Sequence, residues 1–218
     1  LAVGLAVLLF IVVPTVAAHF MSGYLGAFGQ NLFEGIVRIA VFLGYVAGIS
    51  ILQDIQRVFQ YHGAEHKVIH AYESGTDLQD IDAIQSYSTL HPRCGTAFLL
   101  IVMVFTVFFF SFLGAPPLLE RILSRVILLP LIAGLSYEFL KFTAKHDDNA
   151  VIKALIAPGL WLQKLTTRQP DNGQVEVAVN ALMAVLEQER GSKQDSLQND
   201  SLEPIQEQRQ DLQEKLVL

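Results

Sequence analysis

The sequence predicts an all-α polytopic membrane bundle of about four spans, carrying a cytoplasmic helical loop. Three observations predict it. Hydrophobic residues make up 52% of the 218 residues and charged ones only 17%, with a mean hydropathy of +0.41, too apolar for an ordinary soluble domain. Four separate runs approach the roughly 20 apolar residues that a bilayer requires. Between the second and third runs lies one long polar stretch that holds four of the six histidines and the only cysteine.

The first run, Leu1–Ala18, is almost wholly apolar, and Pro14 is placed to kink it. It has no basic n-region or cleavage site, so it reads as a span and not a signal peptide. Because Leu1 already lies inside the run, the chain reads as truncated at its N-terminus. The connection His19–Leu32 is rich in glycine and aromatics and has no Lys or Arg. In the second run, Phe33–Leu52, Glu34 and Arg38 stand four apart near the start, a spacing that lets them pair on one helix face. The third run, Ala97–Gly114, is the cleanest span; Pro116–Pro117 follows as a tight connection, and the fourth run extends from about Val126 to Phe142. If Leu1–Ala18 only packed at the periphery, three spans would remain.

Lys and Arg placement sets the orientation. Arg57, Lys67 and Arg93 lie in the central loop, and Lys141, Lys145, Lys153, Lys164 and Arg168 follow the fourth run. The positive-inside rule puts both regions in the cytoplasm. Arg121 and Arg125 oppose this, but Glu120 lies beside them and the excess elsewhere is larger. Val151–Leu165 suits an interfacial element with Trp161 as its anchor. Apolar residues at Val175, Val179, Leu182 and Leu186 make a helical stripe in Gln174–Glu189. The expected organisation is therefore a membrane domain over 1–190, with a metal-site loop at 53–96 and interfacial C-terminal helices. A disordered polar tail is expected over 191–218. The net charge of −6 and the lack of a basic stripe exclude a nucleic-acid partner. The partner is the lipid bilayer.

The chemistry is concentrated between Phe59 and Thr96. On a helix over Val58–Glu73, His62, His66, His70 and Glu73 fall on one side, with Glu65 at its edge. Imidazoles at i and i+4 can reach one metal ion. His62 and His70 stand about 12 Å apart along the axis, so one pair binds and further ligands come from elsewhere. Gly63 is a point where the helix could break. His62-Gly63-Ala64-Glu65-His66 spells H-x-x-E-H, the inverzincin string, in which two histidines hold zinc and the glutamate is general base. Glu138, near the end of the fourth run, is a candidate distant carboxylate; its structural alternative is pairing with Lys141 or Arg93. In His91-Pro92-Arg93-Cys94, His and Cys three apart can share an ion, and zinc accepts N and S ligands together. Arg93 beside Cys94 would lower the thiol pKa, so a nucleophilic thiolate working with His91 is another reading. The lone cysteine cannot form an internal disulfide, and the plainest reading of it is a small buried residue. The plainest reading of the whole cluster is a hydrogen-bonded network that staples the loop to the bundle.

FQYHGAEHKVIHAYESG, LHPRCGTAFLLIVM, SYEFLKF and APGLWLQKLTTRQPDNGQVEVAV resemble the YqhQ-like bacterial membrane proteins over about Phe33 to Glu189. That family is a domain of unknown function commonly described as predicted metal-dependent enzymes. The resemblance implies an integral protein of the bacterial plasma membrane with a metal site. It covers His62, Glu65, His66, Lys67, His91, Arg93, Cys94 and Glu138, with His70 less firmly matched. It also implies a leading segment that this chain lacks.

The residues and the resemblance together give the expectation of a hydrolase at the cytoplasmic face using a divalent metal, zinc. His62, His66, His91 and Cys94 are the metal ligands and Glu65 the catalytic base. His70, Glu73, Glu138 and Arg93 are further ligands or partners. Its substrate would be a membrane-protein segment or a lipid-linked group. The alternative is a non-catalytic assembly or scaffold protein with a structural His/Cys site or none. A transporter fits less well, since few charges lie within the spans.

Overall fold

Inside a bilayer no water satisfies the backbone, so an open chain must cross it as helix. In the computed structural model each apolar run is helical. The structure describes residues 1–114, 118–146 and 149–192, so the Pro116–Pro117 connection and the tail from 193 onward lie outside the described residues. Among the described residues there is no strand. The helices are α1 (Ala2–Phe20), α2 (Ala27–Ile49), α3 (Gln53–Glu73), α4 (Ile81–Gln85), α5 (Gly95–Ser111), α6 (Leu118–Lys145), α7 (Ala150–Thr166) and α8 (172–192). Helix α8 continues through Gly191 and Ser192, two residues into the segment expected to be a disordered tail.

Three helical stretches are long and apolar enough to cross a membrane: Ala2–Phe20, Ala27–Ile49 and Val126–Lys145. Only 11% to 22% of their residues are buried in the protein, so most of their apolar surface faces outward, as lipid contact requires. The third run, Ala97–Gly114, forms a shorter helix than a span was expected to need. Helix α5 has 17 residues, or about 25 Å of rise, against a hydrocarbon core of about 30 Å. The helix begins ahead of the run, capped by Cys94, but the chain leaves helical geometry at Phe112, before the run ends at Gly114.

Helix α5 packs against α2, α6 and α7. Gly35 on α2 sits directly under Val107, where any Cβ would collide. A Cβ on Gly159 of α7 would lie 2.9 Å from Ala97. Val46, Leu100 and Leu162 form the core where α2, α5 and α7 meet. A second core lies on the other side of the polar loop. It joins Ala64, Val68 and Ala71 of α3 to Ile84 of α4 and Val175 of α8, with Val179 and Leu182 against it. The stripe on α8 thus covers the back of α3, which leaves the histidine face of α3 turned to the bundle.

Helix α1 contains a π turn at Leu8–Val12 followed by Pro14. Proline has no N–H to give to the carbonyl four residues back, that of Phe10. Arg38 on α2 supplies a donor instead, with its Nε 2.9 Å from the Phe10 oxygen. Its Nη2 lies 2.5 Å from Glu34, and Thr15 reaches the same carboxylate at 3.5 Å. The Glu34–Arg38 pair read from the sequence is therefore present, and it also completes the backbone of the neighbouring helix.

This arrangement predicts a coupling. Arg38→Met should lower stability in detergent by about 3 kcal/mol, the scale for breaking one partner of a buried pair. In a Pro14→Ala background, which restores an N–H for Phe10, the loss should shrink by about 1 kcal/mol. Unfolding titrations of the four proteins of the cycle measure it, and strict additivity would remove the link to Phe10.

Candidate metal centre

Helix α3 remains continuous through Gly63, contrary to the break considered above. The reason for the glycine is a crossing. The extended segment after α7 passes against α3, and a Cβ at Gly63 would collide with the Arg168 carbonyl. There the Arg168 N–H donates to the Phe59 carbonyl at 2.9 Å. The crossing carries the Thr166 carbonyl to His62, whose Nδ1 lies 2.7 Å from it. One turn on, His66 Nδ1 lies 2.6 Å from the Thr89 carbonyl. A carbonyl only accepts, so both imidazoles carry their proton on Nδ1 and keep Nε2 as the ligand atom. This second contact is the usual device that sets tautomer and ring angle in metal-binding histidines.

Cys94 completes the group. It is the N-cap of α5 and its sulfur accepts from the Thr96 N–H. Sγ lies 3.2 Å from His62 Nε2. The ligand atoms of His62, His66 and Cys94 all fall within 4.8 Å of one another. Tetrahedral zinc with N and S ligands at about 2.0–2.3 Å needs such atoms roughly 3.3–3.8 Å apart, so the three fit one ion with small side-chain adjustments. Burial pushes the Cys94 thiol up, but hydrogen bonds from His62, His66 and Thr96 outweigh it and bring its pKa down to about 5. His62 is raised, chiefly by its bond to Cys94 and against the cost of burial. Without metal, the short His62–Cys94 contact lets the two groups share a proton, and a cation can take its place between them.

His91 stands apart from this group. Gln163, fully buried, clamps its backbone from both sides. Its Oε1 accepts from the His91 N–H at 2.8 Å and its Nε2 donates to the His91 carbonyl at 2.7 Å. The His91 side chain accepts the Arg93 N–H at Nδ1 and turns Nε2 toward Glu73 Oε2, 3.5 Å away. That nitrogen is buried without a hydrogen bond. Burial, reinforced by the His70 charge, lowers the His91 pKa to about 4, so it is neutral at pH 7. The thiolate's imidazole partners are thus His62 and His66, not His91. His70 bonds the Leu90 carbonyl through Nε2 at 2.9 Å. Arg93 pairs with the other oxygen of Glu73. Lys67 straps two loop carbonyls, Gln85 and Tyr87, each at 2.6 Å.

A polar cavity of about 310 Å³ opens over the trio, lined by Glu65, Ile69, Glu73, His91 and Arg93 besides His62, His66 and Cys94. Glu65 is exposed at its edge. Glu138 is exposed on α6 and does not line it, and among the described residues it makes no ion pair with Lys141 or Arg93. The spacing of His62 and His66 was readable in sequence. Gln163 and the carbonyls of Thr89 and Thr166 were not, since they act through backbone contacts that residue types do not announce.

In chelator-treated protein, alkylation of Cys94 should be flat through neutral pH and fall with a midpoint near its pKa of about 5. His62→Ala should move that midpoint toward the ordinary thiol value of about 8.5. A wild-type midpoint already at the ordinary value would mean that the histidines do not hold a thiolate.

A family model described as "Protein of unknown function (DUF1385)" matches residues 1–188. The chain is also 41% identical over 165 residues to "Uncharacterized protein YqhQ" of Bacillus subtilis (strain 168), covering 76% of this chain and 52% of that protein. It therefore spans about half the length of that relative. No solved structure matches. With nearly its whole described length matched, the chain belongs to the DUF1385 family.

Proposed function

We propose that this protein is a metal-dependent hydrolase of the bacterial plasma membrane, with its site at the cytoplasmic face. The observation that carries the reading is the trio itself. Three ligand atoms converge within 4.8 Å, both histidines are oriented through Nδ1, and the remaining side opens to a cavity. Catalytic zinc sites have three protein ligands and one open position, whereas structural sites are closed by four. The inferred ligand set is His62, His66 and Cys94, with His91 supporting the wall. The cytoplasmic assignment follows from the excess of Lys and Arg on the side of the site.

A zinc ion held there supplies Lewis acidity and brings the pKa of a water in the open position near neutrality. The chain's own residues do the rest. Glu65, at the cavity edge, takes the proton of the attacking water and returns it to the leaving group. Arg93 presents a cation to the same cavity, where it can orient an anionic part of the substrate. His91 and Glu73 hold the far wall, and Gln163 keeps that wall in place. The substrate is a membrane-protein segment or a lipid-linked group, because α5 begins at the ligand Cys94 and the cavity lies at the end of the membrane helices.

A second reading, a scaffold with a structural ion, draws on the loop network. His70, Lys67 and Gln163 all bind loop backbone and staple it to α3 and α7.

Metal analysis of purified protein separates the two. About one zinc per chain, lost in His62→Ala/His66→Ala, is expected. Cys94→Ser should bind it at least about tenfold more weakly, and Glu65→Gln should keep it while losing turnover. Absence of metal after metal-replete expression would refute the hydrolase reading. A four-coordinate site with no exchangeable water would favour the scaffold.

A further inference from the structure

Beside the His/Cys cavity lies a second one of about 350 Å³, lined by Arg93, Tyr137, Leu140, Lys141, Ala144 and Lys145. Its volume is in the range of small-ligand sites, about 300–1,000 Å³. Tyr137, Lys141 and Lys145 stand at i, i+4 and i+8 on α6, so one helix face presents a phenol and two ammonium groups. Arg93 closes the cavity from the start of α5. Like charges four apart on a helix repel each other. Among the described residues no carboxylate comes within ion-pair distance of either lysine. The Arg93 guanidinium has five donors and uses one nitrogen on Glu73, which leaves others for an anion. Three cations on one small cavity call for a multivalent oxyanion, and a phosphate meets that need best.

The surroundings identify what carries the phosphate. The lysines sit at the end of a stretch apolar enough to span the membrane, with Tyr137 two helical turns before Lys145 on the same face. Deeper along the same face, Gly134 opens onto free space, Pro130 is exposed, and Ile127 is 71% exposed. A polar end for a headgroup thus continues into an apolar lane for a chain. We infer that Arg93, Lys141 and Lys145 bind the phosphate of an anionic membrane lipid. Arg93 lines both cavities. Resting on the hydrolase reading above, this pocket is where a lipid-linked substrate is seated, its phosphate between Arg93 and the lysines and its headgroup toward His62, His66 and Cys94.

The test uses the full chain in detergent, titrated with phosphatidylglycerol or phosphatidylcholine and read by native mass spectrometry, with inorganic phosphate as competitor. Wild type should prefer phosphatidylglycerol. Lys141→Ala/Lys145→Ala should weaken that binding roughly 30-fold, from about a fivefold loss per lysine, with metal content unchanged. Lys141→Arg/Lys145→Arg should retain it, which separates lost charge from lost folding. His62→Ala/His66→Ala should lose metal and keep the lipid, so failure of the metal site and failure of the lipid site give different results. Equal affinity for the two lipids, or an alanine variant that binds as well as wild type, would overturn the inference. Tight binding of inorganic phosphate with no lipid preference would overturn it as well, making the ligand a soluble anion.

Discussion

Two backbone carbonyls govern the candidate centre. Thr89 and Thr166 take the Nδ1 protons of His66 and His62, and that single choice of tautomer turns both Nε2 atoms toward Cys94. Neither carbonyl belongs to α3. One comes from the loop that leads to α5, the other from the end of α7. The centre therefore exists only when three segments far apart in sequence are docked together. Gly63 makes the α7 side of that docking sterically feasible, and Gln163 secures the loop side by holding both backbone groups of His91.

The fold and the site were readable in sequence to different depths. Long apolar runs make helices in lipid whatever their detailed residues, so the all-α bundle was legible from composition. The number of spans was less so, because hydropathy does not see that α5 leaves helical geometry at Phe112 while the apolar run continues. The i, i+4 pair His62 and His66 was legible because helix geometry alone puts it on one face. The choice between His91 and Cys94 as the next ligand was not, since a spacing of three permits either. A tertiary contact separates their positions: Gln163 clamps the His91 backbone, the His91 ring faces Glu73, and the sulfur of Cys94 faces His62. Glu138 looked apt by depth alone, yet it sits on an exposed face of α6. Depth along a span says nothing about which way a side chain points.

The two hydrophobic cores divide the labour. One binds α2, α5 and α7 at the membrane; the other backs α3 with α4 and α8. The histidine row lies between them, where the rings of His62 and His66 are 4.4 Å apart and those of His70 and His91 4.7 Å. Burial and the repulsion of its neighbours disfavour a proton on His91. An element packed on each side therefore keeps the geometry of the row.

Arg38 has a consequence for how the protein is made. A lone arginine entering hydrocarbon on α2 is costly to insert. Its cost falls once Glu34 and the Phe10 carbonyl are beside it, and α1 in turn is relieved of a carbonyl that Pro14 cannot serve. Each helix is thus a poor passenger alone and a good one with its neighbour. Helices α1 and α2 therefore enter hydrocarbon at lower cost as a pair than as single segments.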